Sequence, residues 1–330
     1  MNYFISIKKN SQQLLLFLLI ITGLCSCQED GLLAPNNNST FYQKLSEYNI
    51  YQGAISDLNP TSSFQLYQLG SELFSDYAKK QRLIYLPPGT QMQKIDDGLP
   101  DFPDGTILVK TFYYHKDDRD HTKGSKIVET RLLIKENGQW NVGTYLWNDN
   151  QTDAQLVTAG FNKMVNFIDQ EGQPQVIAYQ LPSNRACASC HNVNEVLSPI
   201  GPKLRNLNFP VDHAPFGSNQ LNWFQGVALL DLFDVNEVST VPNYKDTNLP
   251  LDVRARAYMD INCAHCHDSK GSSPDLNMFY AYDLSLEETK ILEHKESIIK
   301  NMIEGSMPQI GTSVIDEEGS KLIVDYINSL

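Results

Sequence analysis

Hydrophobic positions change their period along the chain. Leu14 to Leu24 is one apolar run of eleven residues, broken only by Thr22 and Gly23. That is short of the ~20 residues a helix needs to cross a hydrocarbon core. With Lys8 and Lys9 ahead of it, the run predicts an export signal over residues 1–26, and the polar stretch over 27–40 predicts a flexible tether. Strand character begins with Ile107 to Tyr114, which is β-branched and aromatic. Lys126–Lys135 and Gln139–Trp147 flank Glu136-Asn137-Gly138, a hairpin signal. Met164–Ile168 and Gln175–Tyr179 flank a polar turn at Asp169–Pro174. Ser62–Tyr85 is mixed and aromatic-rich and is expected to wrap the sheet. The period of two sends Trp140 and Trp147 to opposite faces of one strand. Beyond residue 250 the period turns helical. Arg254–Asn262, Leu286–Glu304 with Gly305 as its stop, and a last helix from about Asp316 are predicted. The last helix carries Leu322, Ile323, Tyr326, Ile327 and Leu330 on one face. The expected fold class is α+β: an N-terminal antiparallel β-rich domain followed by an all-α region.

Composition narrows the function. The chain has 330 residues and a formal net charge of −13, with 26 basic and 39 acidic residues. Such acidity argues against nucleic acid, whose phosphates need clustered Lys and Arg. It suits a partner with a basic docking surface. Six cysteines are too few for a disulfide scaffold, and four of them fall in two tight clusters.

Those clusters carry the chemistry. Cys187-Ala188-Ser189-Cys190-His191 and Cys263-Ala264-His265-Cys266-His267 both fit C-x-x-C-H, the attachment pattern of c-type haem. Cysteines three apart share one side of a helical turn, so both thiols reach the two vinyl groups of one porphyrin edge. The following His then ligates the iron. Zinc ribbons separate their C-x-x-C pairs by roughly 15–20 residues, whereas 72 residues lie between Cys190 and Cys263. A redox dithiol does not demand the trailing His. Two covalently bound c-type haems are therefore expected, with His191 and His267 as metal ligands.

Resemblances add to this. Leu24-Cys25-Ser26-Cys27 resembles the bacterial lipoprotein box, which implies lipidation at Cys27 and a membrane anchor. Gln28-Glu29-Asp30 resembles the surface-export signal of Bacteroidetes-type lipoproteins and implies an outer-membrane location. From the second motif onward, the order resembles class I cytochromes c: C-x-x-C-H early, a Met-Pro loop late, and a closing helix. That resemblance implies Met307 as distal ligand of the second haem; Met302 and Met278 lack the Met-Pro context. Gly201-Pro202-Lys203-Leu204 resembles the Gly-Pro-x-Leu segment of cytochromes c and implies that the Pro202 carbonyl accepts from His191 Nδ1. The first haem has no such Met. Its sixth position is left to His213, to a ligand folded in from elsewhere, or to an open site. His265 is expected at a haem edge, and His115, His121 and His294 in solvent.

Further strings match one family. They are Leu73 to Ala78, Phe102 to Thr106, Glu129 to Ile134, Trp147-Asn148-Asp149, Gln151 to Ala154, Ile200 to Lys203, and Asn219-Gln220-Leu221. The chain resembles a poorly characterised family of bacterial di-haem c-type cytochromes, over roughly Leu45 to Leu330. The implied organisation is a signal (1–26), a tether (27–40), a β-rich domain (41–182), a first haem-binding segment (183–250) and a second haem-binding, cytochrome c-like domain (251–330). The expected function is electron transfer between redox protein partners, outside the cytoplasm and lipid-anchored, in a carrier more than a catalyst. Two alternatives stand: a peroxidase-like enzyme with an open first haem fed by the second, and a ligand-binding or sensing lipoprotein using the β domain.

Overall fold

A computed structural model describes residues 41–307 and 312–330. The expected signal, tether, lipidation site Cys27 and the Pro of the Met307-Pro308 pair lie outside the described residues. The N-terminal region is antiparallel and β-rich, and the C-terminal region is helical.

Six strands form one meander in chain order. They are β1 (Gln65–Leu66), β2 (Lys79–Tyr85), β3 (Ile107–His115), β4 (Ser125–Glu136), β5 (Gln139–Trp147) and β6 (Ala154–Val157). The β4–β5 turn is made by Asn137 (φ 52°) and Gly138 (φ 76°), both in the left-handed region that a two-residue hairpin requires. β7 (Phe161–Ile168) and β8 (Pro174–Leu181) pair as a separate ribbon. Lys79–Tyr85, expected only to wrap the sheet, is a full strand paired along its length with β3.

The two faces of the meander differ. Leu83, Val109, Leu132, Tyr145 and Trp147 bury one face under Leu45, Ile50 and Phe64 from the start of the described chain. Ile84, Leu108 and Leu133 on the other face pack against Leu204, Leu207, Leu221, Phe224 and Leu230. Trp147 is buried on the first face, while Trp140 joins the second and meets the Phe102 ring edge-on at 5.3 Å, as the period of two predicts.

The helical half has α1 (Asn184–Cys190), α2 (Leu204–Leu207), α3 (Gln220–Gly226), α4 (Leu251–Asn262), α5 (Leu286–Thr289), α6 (Ile291–Glu304) and α7 (Glu317–Ser329). It is not purely helical. β9 (Asn192–Val193) and β10 (Val196–Leu197) form a short hairpin directly after the first motif. The single helix expected over Leu286–Glu304 is two. Thr289 Oγ1 turns back onto the Leu286 carbonyl at 2.6 Å, and Lys290 enters the left-handed region (φ 59°), which breaks the ladder. Helices α4 and α7 share a core of Ala255, Tyr258, Met259, Ile261, Leu322, Ile323 and Tyr326. They meet closely at Gly319, where an added Cβ would lie 2.4 Å from the Tyr258 ring. Among the described residues no helix is long and apolar enough to cross a membrane.

Candidate haem centres

Ser183 caps α1, its side chain accepting from the Ala186 amide at 3.3 Å. The helix sets Cys187 and Cys190 one turn apart, and His191 stands at its C-cap. Asn194 (φ 51°) and Glu195 (φ 64°) turn the β9–β10 hairpin and return the chain to its start. Ser198 therefore faces His191. Its amide donates to the His191 carbonyl at 3.0 Å, and its carbonyl lies 2.9 Å from His191 Nδ1. The oxygen expected from Pro202 thus comes from Ser198, because the hairpin closes before Pro202 is reached. The chemistry is unchanged: a carbonyl on Nδ1 orients the ring and leaves Nε2 for a metal. Burial, against the Ser198 bond and with Lys110 and Arg131 nearby, depresses His191 to about 3. The imidazole is neutral at ordinary pH, as a metal ligand must be.

His191 opens onto a cavity shared with Cys187 and Cys190. Its apolar wall includes Leu73, Phe74, Leu108, Leu133, Ile200 and Pro202. Its polar groups include Lys110 and Arg131, which come from β3 and β4, and His265 from the second motif. Arg131 Nε donates to Glu129 at 3.0 Å, and the Tyr179 hydroxyl donates to the same buried carboxylate at 2.5 Å. His213 is not among the described residues lining this cavity; its ring meets Trp223 edge-on at 5.1 Å, and neither ring nitrogen has a side-chain partner among the described residues.

The second motif follows the C-terminus of α4. Cys263 is the C-cap, its amide donating to Met259 O at 2.9 Å, and the His267 amide donates to Cys263 O at 2.9 Å. The His267 ring lies 5.1 Å from the Tyr280 ring, and its buried Nδ1 has no partner among the described residues. Burial lowers the His267 pKa and pushes the Cys263 thiol up to about 12. Met307 is half-buried two residues beyond the Gly305 cap of α6. Met278 and Met302 are buried in the helical core instead.

The fold brings the two motifs together. Ligand atoms of Cys190, His265 and Cys266 all lie within 4.8 Å of one another. A hydrogen bond from Cys190 lowers the Cys266 thiol. The loops after the motifs are also joined, the Asn194 amide donating to Lys270 O at 2.8 Å. A buried ion cluster ties the first segment to α4. Asp260, 2% exposed, accepts from Lys203 Nζ at 3.1 Å and Arg205 Nη2 at 2.8 Å.

The donor set fits a c-type haem. Each motif offers two free thiols and a neutral imidazole, and His191 has its second nitrogen already held. His267 offers a second buried imidazole, whose Nδ1 has no partner among the described residues. The free space beside His191 is about 90 Å³, narrower than a porphyrin, so binding would spread its walls. Sequence reasoning missed Lys110, Arg131 and the reach of His265 into the first cavity. The signal for the first two is a charged residue between apolar ones on the same strand face: Lys110 between Leu108 and Phe112, and Arg131 beside Leu133.

Residues 252–327 match a family model described as cytochrome C oxidase, cbb3-type, subunit III. No curated protein and no solved structure gives a significant match to the chain. The match covers α4 from its second residue, the second motif, α5, α6 and most of α7, and stops short of the first motif. The C-terminal region of this chain is accordingly a c-type cytochrome region, of the kind that holds haem covalently and passes electrons to redox partners.

Proposed function

We propose that the chain is an extracytoplasmic di-haem c-type cytochrome that transfers electrons, anchored to the outer membrane through lipid on Cys27. The observation that carries the di-haem reading is the meeting of Cys190 with Cys266. Two attachment edges side by side suit electron exchange within one molecule. When bound, haem supplies a one-electron iron couple. The protein does the rest. Cys187, Cys190, Cys263 and Cys266 fix the groups, His191 and His267 ligate as neutral imidazoles, and Met307 closes the second site. The acidic surface docks a basic donor or acceptor.

The test is a haem count. Protein matured in its native compartment should gain the mass of two haems and lose four thiols. Bare thiols, zinc, or one haem would overturn the reading. Met307→Ala should turn one haem high-spin and lower its potential, since thioether ligation favours the ferrous state. Optical and redox titration read both effects, and an unaltered spectrum would remove Met307 from the ligand set.

A second reading draws on the first cavity, where neither a Met nor His213 stands among the described lining residues. An open iron there would favour peroxidase-like chemistry. EPR decides between them: one high-spin and one low-spin haem with a peroxide reaction supports the enzyme, and two low-spin haems without one supports the carrier.

A further inference from the structure

A row of cations crosses the face of the meander that closes the first cavity. Arg82 on β2 pairs directly with Lys110 on β3, and Lys110 pairs directly with Arg131 on β4. Directly paired residues project from the same face. At ~4.8 Å between strands, the row spans roughly 10 Å. Arg131 and Lys110 line the cavity that holds Cys187, Cys190 and His191. Arg82 lines the next cavity, of about 600 Å³, together with Lys80, Glu72 and Lys245.

The row is unevenly neutralised. Arg131 is paired with Glu129 and Arg82 with Glu72 at 2.6 Å. Lys110 has no ion pair among the described residues and rests its ammonium over the Phe112 ring at 4.8 Å. A partly buried cation set between two other cations is costly without an anion. Burial, with Arg82, Lys80 and Arg131 close by, drives its amine well below the ordinary lysine value. A carboxylate entering from that cavity would neutralise it. A porphyrin with its vinyl edge on two cysteines carries two carboxylates on the opposite edge.

We infer that Lys110 is the carboxylate-binding residue of the first haem, and that the β-rich half thereby forms a wall of that haem site. This rests on the di-haem reading and gives the sheet a role within it. A cation beside the haem favours the less positive ferrous state, so its loss lowers the potential. Arg131 stays committed to Glu129 and acts as a neighbour.

Redox titration of the full-length, haem-loaded protein tests this with Lys110→Met, Lys110→Gln and Lys110→Arg. If the methionine variant does not accumulate, the glutamine variant is read in its place. The expected result is two haems retained and one wave moved to lower potential, by about tenfold in ferric-to-ferrous ratio at fixed potential, or ~59 mV for one electron. The other wave stays, and Lys110→Arg restores the first. Unchanged potentials, or the same shift in the arginine variant, would overturn the proposal. A low-spin haem turned high-spin by the neutral variants would overturn it too, making Lys110 an iron ligand. A parent protein with one haem would instead sink the di-haem reading on which it stands.

Discussion

Replacing Cys187 and Cys190 by serine is expected to cut the haem content from two to one. Serine forms no thioether with a vinyl group, and nothing else in the first site is covalent. The second pair leaves a helix end whose core is separate, built from Ala255, Tyr258, Leu322 and Ile323. Its haem should therefore attach and keep its low-spin spectrum. Cys263→Ser with Cys266→Ser should give the mirror result. Each remaining haem should also shift in potential, because a charged neighbour has gone from beside it; Cys190 and Cys266 lie within 4.8 Å. Pyridine haemochrome absorbance against protein mass measures the ratio. Two haems surviving in either variant would refute the attachment sites.

Asp260→Asn is expected to produce the largest loss of stability, ~3 kcal/mol, because it removes the one buried carboxylate facing Arg205, which keeps only the exposed Asp283, and half-buried Lys203. Lys203 and Arg205 both converge on this carboxylate, and the Tyr282 amide donates to it at 3.1 Å. A loss of that size is a large part of the ~5–15 kcal/mol that holds a typical domain. The effect depends on pH in a stated direction. Burial raises the Asp260 carboxyl, but Lys203 and Arg205 outweigh it and leave it below its ordinary value. Its contribution is therefore complete above the unfolded value of ~3.9 and drains away as pH falls through the lower folded one. Denaturation midpoints of parent and variant should differ widely at pH 7 and converge in strong acid. Equal midpoints at pH 7 would show that the cluster adds nothing.

Local signals in the chain read well where they are self-sufficient. Asn137-Gly138 specifies its hairpin because left-handed conformations suit those two residues. The final helix follows from one apolar face, with Asp316 capping it through the Gly319 amide at 2.9 Å. The two C-x-x-C-H patterns are visible as spacing alone. What stayed hidden depends on partners far away in sequence. Lys79–Tyr85 opens with polar and charged residues, so it lacks a strand's apolar alternation. Its charges make sense only beside Lys110 and the cavity. Ser198 could not be chosen over Pro202 without the two-residue strands between them. Lys290 looks like an ordinary helix residue, and its backbone break follows from how Thr289 turns back. The apposition of the two motifs is a purely tertiary fact, since no spacing rule links Cys190 to Cys266.

Asp76 lies just ahead of β2, yet its carboxylate accepts from the Ser313 amide at 2.8 Å, the Ser313 hydroxyl at 2.8 Å and the Val314 amide at 3.3 Å. The contact spans 237 positions and grips the chain shortly after Met307. The C-terminal cytochrome region is thus not self-contained. A fragment cut to residues 252–327 would leave this clamp behind, and Ser313 and Val314 would gain freedom that the parent denies them. Damage to the sheet far upstream would then register first as slack in the chain between Met307 and the last helix.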